Sequence, residues 1–233
     1  MAATVYLIPT YLHEHNLEVL PSYILEAIEK CSVLFVENER TARRYLKQLK
    51  KEIVIDHFEW FGIQKAEEQV LQQFRQQLKQ ERTIGIISEA GCPGVADPGQ
   101  LLIAAAQEAN AAVVPLVGPS SILLALMASG LNGQQFSFLG YLPIDNTQRI
   151  KAVKELENES QRNNSTQIFI ETPYRNNQLL ETLLKQCHPQ TRLCIAVNIT
   201  APDESIKTKT ILQWQKLAPP DLHKKPAIFL LIR

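Results

Sequence analysis

Residues Thr83–Gly99 read T-I-G-I-I-S-E-A-G-C-P-G-V-A-D-P-G. Ile84, Ile86 and Ile87 form a short β-branched run with charge before it and a glycine-rich segment after it, the pattern of a parallel strand buried on both faces. The loop that follows carries three glycines and two prolines. Glycine lets the backbone turn sharply and lets a ligand approach the main chain, while proline fixes φ and stiffens the rim. Asp97-Pro98-Gly99 predicts an N-cap followed by proline at the first helical position, with a helix starting there. Ligands of open α/β sheets settle beyond the carboxyl ends of the strands, where this loop falls. The same loop also reads as a tight strand-to-helix turn that binds nothing.

Outward from this stretch, strand and helix signals alternate. Thr4–Pro9 reads as an apolar strand, and a helix begins near Pro21 with Ile24, Leu25 and Ile28 on one face. Ser32–Val36 is a second strand running into Glu37-Asn38-Glu39-Arg40, whose charges either grip a substrate or sit at a helix N-terminus. The next helix stacks Arg40, Arg44, Lys47 and Lys51 on one face with Arg43 and Lys50 beside them, either a phosphate-binding stripe or a solvated face. Ile53–Phe58 predicts a strand and Gln64–Lys79 a helix with Ala66, Val70, Leu71, Phe74 and Leu78 inward. Leu101–Ala109 predicts a helix and Val113–Val117 a strand, so the first domain is a doubly wound parallel sheet.

At Gly118-Pro119-Ser120-Ser121 the pattern changes, and the two serines can cap a helix over Ile122–Ser129 or face an anionic or hydroxylated ligand. The second half predicts strands at Phe136–Tyr141, Thr166–Glu171, Leu193–Ile199, Lys207–Leu212 and Ala227–Ile232. Helices fall near Thr147–Glu159 and Asn176–Cys187, and Glu157–Ser165, E-N-E-S-Q-R-N-N-S, reads as a loop. The expected division is two α/β domains, 1–117 and 118–233.

Hydrophobic content of 45% and charged content of 21% belong to an ordinary globular chain. The 24 basic and 24 acidic residues cancel, so a polyanionic partner needs a local patch. Cys31, Cys92, Cys187 and Cys194 show no metal-site spacing, and His13 and His15 lack partners at ligand spacing, so no metal is expected. No apolar run reaches membrane-spanning length and no leader pattern opens the chain, which points to a cytoplasmic protein without a membrane partner. Neither a dinucleotide fingerprint, a P-loop nor a G-x-S-x-G elbow is present.

The loop S-E-A-G-C-P-G-V-A-D-P-G resembles the S-D-A-G-T-P-x-x-x-D-P-G signature of the tetrapyrrole methylase superfamily, and within it the small-subunit ribosomal RNA 2'-O-ribose methyltransferases. Ile8-Pro9-Thr10, the run V-V-P-L-V-G-P-S-S at Val113–Ser121 and F-L-G-Y-L-P at Phe138–Pro143 are similar to that branch in the same order. The resemblance implies two α/β domains with a ligand cleft between them, S-adenosylmethionine as methyl donor, ribosomal RNA as acceptor, and a homodimer. It assigns Leu12, Glu89, Gly91, Cys92, Val95, Ser120, Ser121, Thr172, Asn198 and Pro226 to the donor. Glu37 and Arg40 become the candidate catalytic pair, and Arg43, Arg44, Lys47 and Arg175 the substrate contacts. Glu171–Arg175 is similar to an E-S-x-x-R segment of the family. Three departures fall on the acceptor side. E-D-T-R is replaced by E-N-E-R, the L-P-x-K lysine is Asp145, and P-T-P-I-G-N-L-x-D becomes P-T-Y-L-H-E-H-N-L-E-V. A small heterocycle or a protein side chain as acceptor, and a non-catalytic nucleotide-binding module, stay open.

Overall fold

The computed structural model describes residues 3–63 and 67–233. Its contacts divide the chain into two compact units, 1–120 and 121–233, each built on its own five-stranded sheet.

In the first unit, β1 (Thr4–Ile8), β2 (Val33–Val36), β3 (Glu59–Gly62), β4 (Thr83–Ile87) and β5 (Ala112–Pro115) are all parallel, in the order β3-β2-β4-β1-β5. The helices α1 (Tyr23–Lys30), α2 (Glu39–Leu49), α3 (Glu67–Lys79) and α4 (Gln100–Glu108) connect them. Strands covered on both faces should be apolar throughout, and β2 is buried at every position. One cluster packs Phe35, Val70, Phe74, Leu78, Ile84, Ile86 and Leu102; another packs Ile8, Ile24, Ile28, Leu34, Tyr45 and Leu46. Each such buried side chain stabilises the unit by roughly 1.5–3 kcal/mol. The chain leaves β1 toward β2 on one side and leaves its neighbour β4 toward β5 on the other, so the winding reverses between β1 and β4. Ligand sites of such sheets lie at that reversal, beyond the carboxyl ends.

The second unit holds α5 (Ser121–Ser129), β6 (Phe136–Tyr141), α6 (Asn146–Asn163), β7 (Thr166–Ile170), α7 (Asn176–Gln186), β8 (Arg192–Val197), β9 (Ser205–Thr210), α8 (Ile211–Gln215) and β10 (Ala227–Ile232). Its sheet runs β6-β7-β10-β8-β9 and is mixed: β6 and β7 pair in parallel, the other neighbours antiparallel. Phe169, Leu179, Leu183, Leu193, Trp214 and Phe229 lie in its core. Residues 117–119 stay with the first unit: the Val117 N–H donates to the Tyr23 hydroxyl at 2.7 Å, and the Cys92 Sγ lies 3.5 Å from the Pro119 carbonyl. The division therefore falls after Ser120, whereas the sequence pattern places it after Val117.

Three local expectations are corrected, and a fourth is borne out over the part that is described. Ile53–Phe58 is no strand: Ile55–His57 form a 3₁₀ turn, and the edge strand is β3, where Glu59–Gly62 pair with Val33–Val36. The expected helix Gln64–Lys79 is seen from Glu67, and Gln64 to Ala66 lie outside the described residues. Glu157–Asn163 is helix rather than loop, because Leu156 and Ser160 face inward and the Ser160 hydroxyl donates to the Ser165 carbonyl at 2.8 Å. The strand expected at Lys207–Leu212 is shifted to Ser205–Thr210, since Thr210 and Gln213 form a capping box that starts α8.

Candidate functional site

The carboxyl ends of β1, β2 and β4 carry the first rim. Thr10 bridges Gly91, its N–H donating to the Gly91 carbonyl at 2.9 Å and its hydroxyl to the Ser88 carbonyl at 3.3 Å. This pins the start of the loop against the end of β1. Gly91 has φ +76, and a Cβ added there would lie 3.2 Å from Leu12 Cδ2 and 3.3 Å from the Pro119 carbonyl oxygen. The structure thus gathers Leu12, Gly91, Cys92 and Pro119 around a bare stretch of backbone, a cradle that any side chain would fill. Val95 stands 51% exposed on the same loop, and Ser120 follows Pro119.

Asp97 does not cap a helix. The residue ahead of α4 is Gly99, at φ 117 and without a side-chain cap, and Gly94 and Ala96 also have positive φ, so the loop turns Asp97 away from α4. Its carboxyl lies against the Glu37 carboxyl and the Ser88 hydroxyl, with Oδ2 buried and without a donor. Burial first, and then the neighbouring Glu37, push Asp97 up to about 7. A proton held between the two carboxyls supplies the hydrogen bond that two carboxylates could not make to each other. Glu37 in turn accepts from the Glu89 N–H at 3.2 Å, and Glu89 accepts from the Thr41 hydroxyl at 3.1 Å. Asn38 caps α2 by accepting from the N–H groups of Arg40 and Thr41 at 3.0 and 3.3 Å. Asparagine and aspartate cap about equally well, so the E-N-E-R wording keeps this turn.

The cations of α2 are unequally committed. Arg43 pairs with Glu39 at 2.5 Å and lies over the Trp60 ring at 5.0 Å. Arg44 pairs with Glu14 at 3.3 Å, and Lys50 with Glu29 at 2.6 Å. The Lys47 ammonium donates to the Lys51 and Ile53 carbonyls, both at 2.8 Å, and so closes the end of the helix. Arg40 is exposed and forms no ion pair among the described residues.

The second unit has a rim of its own at the carboxyl ends of β6, β7 and β8. Thr172 follows β7, Asn198 follows β8, and Pro226 precedes the antiparallel β10; the Asn198 N–H donates to the Pro226 carbonyl at 3.0 Å. Asn198 sits at φ 50, and its amide donates to Asp203 at 2.8 Å. Glu171, with a side chain 1% exposed, accepts from Arg175 and from the Thr172 N–H, both at 2.6 Å. Burial alone would push Glu171 up, but these two donors carry it below the usual carboxylate range. Ser121 opens α5, which packs on β9 and β10.

Sequence reasoning passed over Asp97 as a site residue because D-P-G is a strong helix-start signal. The clue was the glycine after the proline, which can take the left-handed conformation that breaks the cap. It also passed over Arg149, 1% exposed, which donates to the Ile144 carbonyl, Asn146 and Thr182 at 3.0, 2.9 and 3.3 Å and joins α6 to α7.

A reversed parallel sheet with a bare-backbone cradle and a carboxyl pair on one rim, joined in the chain to a mixed-sheet unit, defines a two-unit α/β protein with a candidate ligand site at the strand ends. The profile of the tetrapyrrole (corrin/porphyrin) methylases matches residues 16–213, and the chain belongs to that family, whose members take S-adenosylmethionine as methyl donor. It is similar to the ribosomal RNA small subunit methyltransferase I of Vibrio cholerae, 29% identical across 99% of this chain and 77% of the relative. The enzyme of the same name from Halalkalibacterium halodurans is 29% identical across 78% of this chain and 59% of the relative. Among solved structures, the methyltransferase CobJ matches with a TM-score of 0.64 at 18% identity, covering 100% of this chain and 94% of its own. Uroporphyrin-III-C-methyltransferase from Thermus thermophilus matches with a TM-score of 0.56 at 18% identity, covering 100% and 93%. These two likenesses establish the fold.

Proposed function

We propose that this chain transfers the methyl group of S-adenosylmethionine to a ribose 2'-hydroxyl of small-subunit ribosomal RNA. The observation that carries the reading is the near full-length similarity to the Vibrio cholerae ribosomal RNA methyltransferase. The donor supplies a methyl already activated on a sulfonium, so the sulfur–carbon bond breaks as the oxygen–carbon bond forms and the hydroxyl proton must leave. The protein contributes position and a proton acceptor. The donor contacts in this reading are those the family resemblance assigns: Leu12, Glu89, Gly91, Cys92, Val95, Ser120, Ser121, Thr172, Asn198 and Pro226. Glu37 takes the hydroxyl proton, and a protonated Asp97 donates to it and fixes its orientation. Arg40 holds the acceptor beside Glu37, with Arg43, Arg44 and Arg175 as its other contacts, whereas Lys47, whose ammonium is taken up by the Lys51 and Ile53 carbonyls, drops out of the expected set.

Two folding domains divided in the chain after Ser120, a homodimer, a cytoplasmic site of action and the absence of a membrane partner complete the reading. Among the described residues no helix is long and apolar enough to cross a membrane.

The test is incubation of small-subunit ribosomal RNA with donor and protein, followed by mass analysis of the nucleosides. A gain of one methyl on a ribose is expected. Methylation of a small heterocycle or a protein with RNA untouched would move the acceptor, and donor binding with no acceptor modified would leave a non-catalytic module. Gly91→Val reports on the donor half separately: a β-branched residue at φ +76, aimed at Leu12 and Pro119, should abolish donor binding by calorimetry. Unchanged affinity would remove Gly91 from the donor site.

A further inference from the structure

We propose that the rim of the second unit formed by Tyr141, Tyr174, Lys224 and Lys225 is a single-stranded RNA surface on which a base stacks on Tyr174. The proposal rests on the ribosomal RNA reading above and locates a contact which that reading leaves unassigned.

Tyr174 and Tyr141 are 70% and 61% exposed, far more than tyrosine rings usually are when packing is their purpose. Tyr174 occupies the turn between β7 and α7, two residues past Thr172. Two contacts fix that turn. Below it, the buried Glu171 carboxylate holds the Thr172 N–H and the Arg175 guanidinium. Beside it, the Lys224 N–H donates to the Pro173 carbonyl at 3.0 Å, and the Asn176 amide donates to the Lys225 carbonyl at 2.7 Å. The segment before β10 is thereby laid along the turn, and the His223 ring meets the Tyr174 ring edge-on with centroids 6.0 Å apart. Tyr141 ends β6, opposite Ile170, and stands close enough to Arg175 to favour its charge.

The result is a pre-ordered strip with exposed rings and a line of cations. Lys224 is exposed at φ 60 and forms no ion pair among the described residues. Lys225 and Arg175 flank it. The nearby acid, Asp221, is taken up by the Asn177 amide at 3.0 Å and the His223 N–H at 3.0 Å. Arg175 is paired with Glu171, so Lys224 is a cation of the strip left without an ion pair among the described residues, and exposed rings beside it complement a chain of stacked bases and phosphates, as single strands are held. On α2, by contrast, Arg43, Arg44 and Lys47 already have partners within the chain. In a protein with no net charge, Arg40 is the exposed α2 cation without such a partner among the described residues, and what sets the Lys224 strip apart as a footprint for a polyanion is that its free cation stands beside two exposed rings. Thr172 and Pro226 adjoin it in sequence, so a nucleotide stacked on Tyr174 brings its ribose next to the residues assigned to the donor.

The experiment measures binding of a short single-stranded RNA to the full chain across a salt series, with the demethylated donor titrated in parallel. Tyr174→Ala should weaken RNA binding about 5- to 150-fold, the equivalent of one base stack, while Tyr174→Phe keeps the affinity because the ring is what stacks. Lys224→Asn tolerates the positive φ and should lower the slope of log K against log salt by roughly 0.7. Affinity for the demethylated donor should stay unchanged in all three. RNA affinity within twofold of wild type in Tyr174→Ala, beside a wild type that methylates RNA, overturns this surface alone. A shift in oligomeric state in place of RNA affinity also overturns it, in favour of a second protein copy on the patch. A wild type that binds no RNA at low salt takes down the surface and the ribosomal RNA reading together.

Discussion

Asp97 shows how a single residue can be misread and then become informative. Its D-P-G context predicts a cap worth about 1 kcal/mol to a helix, yet the backbone turns left-handed at Gly99 and takes the side chain to Glu37 instead. Holding an acid against a carboxyl costs stability whenever both are charged, and that fixes the sign of a pH effect. With Asp97 raised from 3.8 to about 7, the native state binds more protons than the unfolded chain between those values. Stability from this group is therefore fully present below about pH 4 and is lost as pH rises through about 7. Asp97→Asn removes the charge and the slope, so the variant should gain on wild type as pH rises from 5 to 8 in urea unfolding. Parallel curves for the two proteins would show that Glu37 does not feel Asp97.

At the scale of elements, the central strands of both sheets were legible because burial on both faces demands apolar runs, as in V-L-F-V of β2 and A-I-F-L-L-I of β10, whereas the edge strands β3 and β9 were misplaced. What escaped reading were elements whose signals are polar or short. The end of α6 is written in asparagine, glutamate and serine, and only Leu156 and Ser160 mark its inner face. The start of α8 was legible in T-x-x-Q, but Ile211 and Leu212 read on as strand. The donor rim was legible as glycine and proline punctuation, whereas the Glu37–Asp97 contact joins residues far apart in the chain and has no local signature. Lys47 belongs here too. Read as a phosphate contact, its ammonium is occupied by two carbonyls at the end of α2. Lys47→Met should cost about 1 kcal/mol in urea unfolding, toward the low end for a charged donor because the side chain is exposed. The salt slope of RNA binding should not change. A smaller slope without a stability loss would return Lys47 to the phosphate stripe.

For the whole molecule, the decisive feature is that each core is self-contained. Within the first unit Phe61 stacks on Phe35 at 4.8 Å between centroids and Phe74 meets Phe35 edge-on at 5.0 Å, and within the second Phe169 stacks on Phe229 at 5.9 Å. Separate cores on separate sheets make each unit a candidate cooperative block, and hydrogen exchange resolves such blocks because protected amides open with their own core. Phe229→Ala deletes a fully buried ring from β10, the central strand of the second sheet, and should cost about 3–5 kcal/mol there. Amides of β7, β8 and β10 should then exchange faster by the corresponding factor, while those of β1, β2 and β4 keep wild-type protection. Donor affinity would fall with the second unit's stability if Thr172, Asn198 and Pro226 contribute to binding, since those residues hang from the ends of the loosened strands. Equal acceleration in both sheets would mean that the chain unfolds as one block, and the division after Ser120 would then mark only a change of topology.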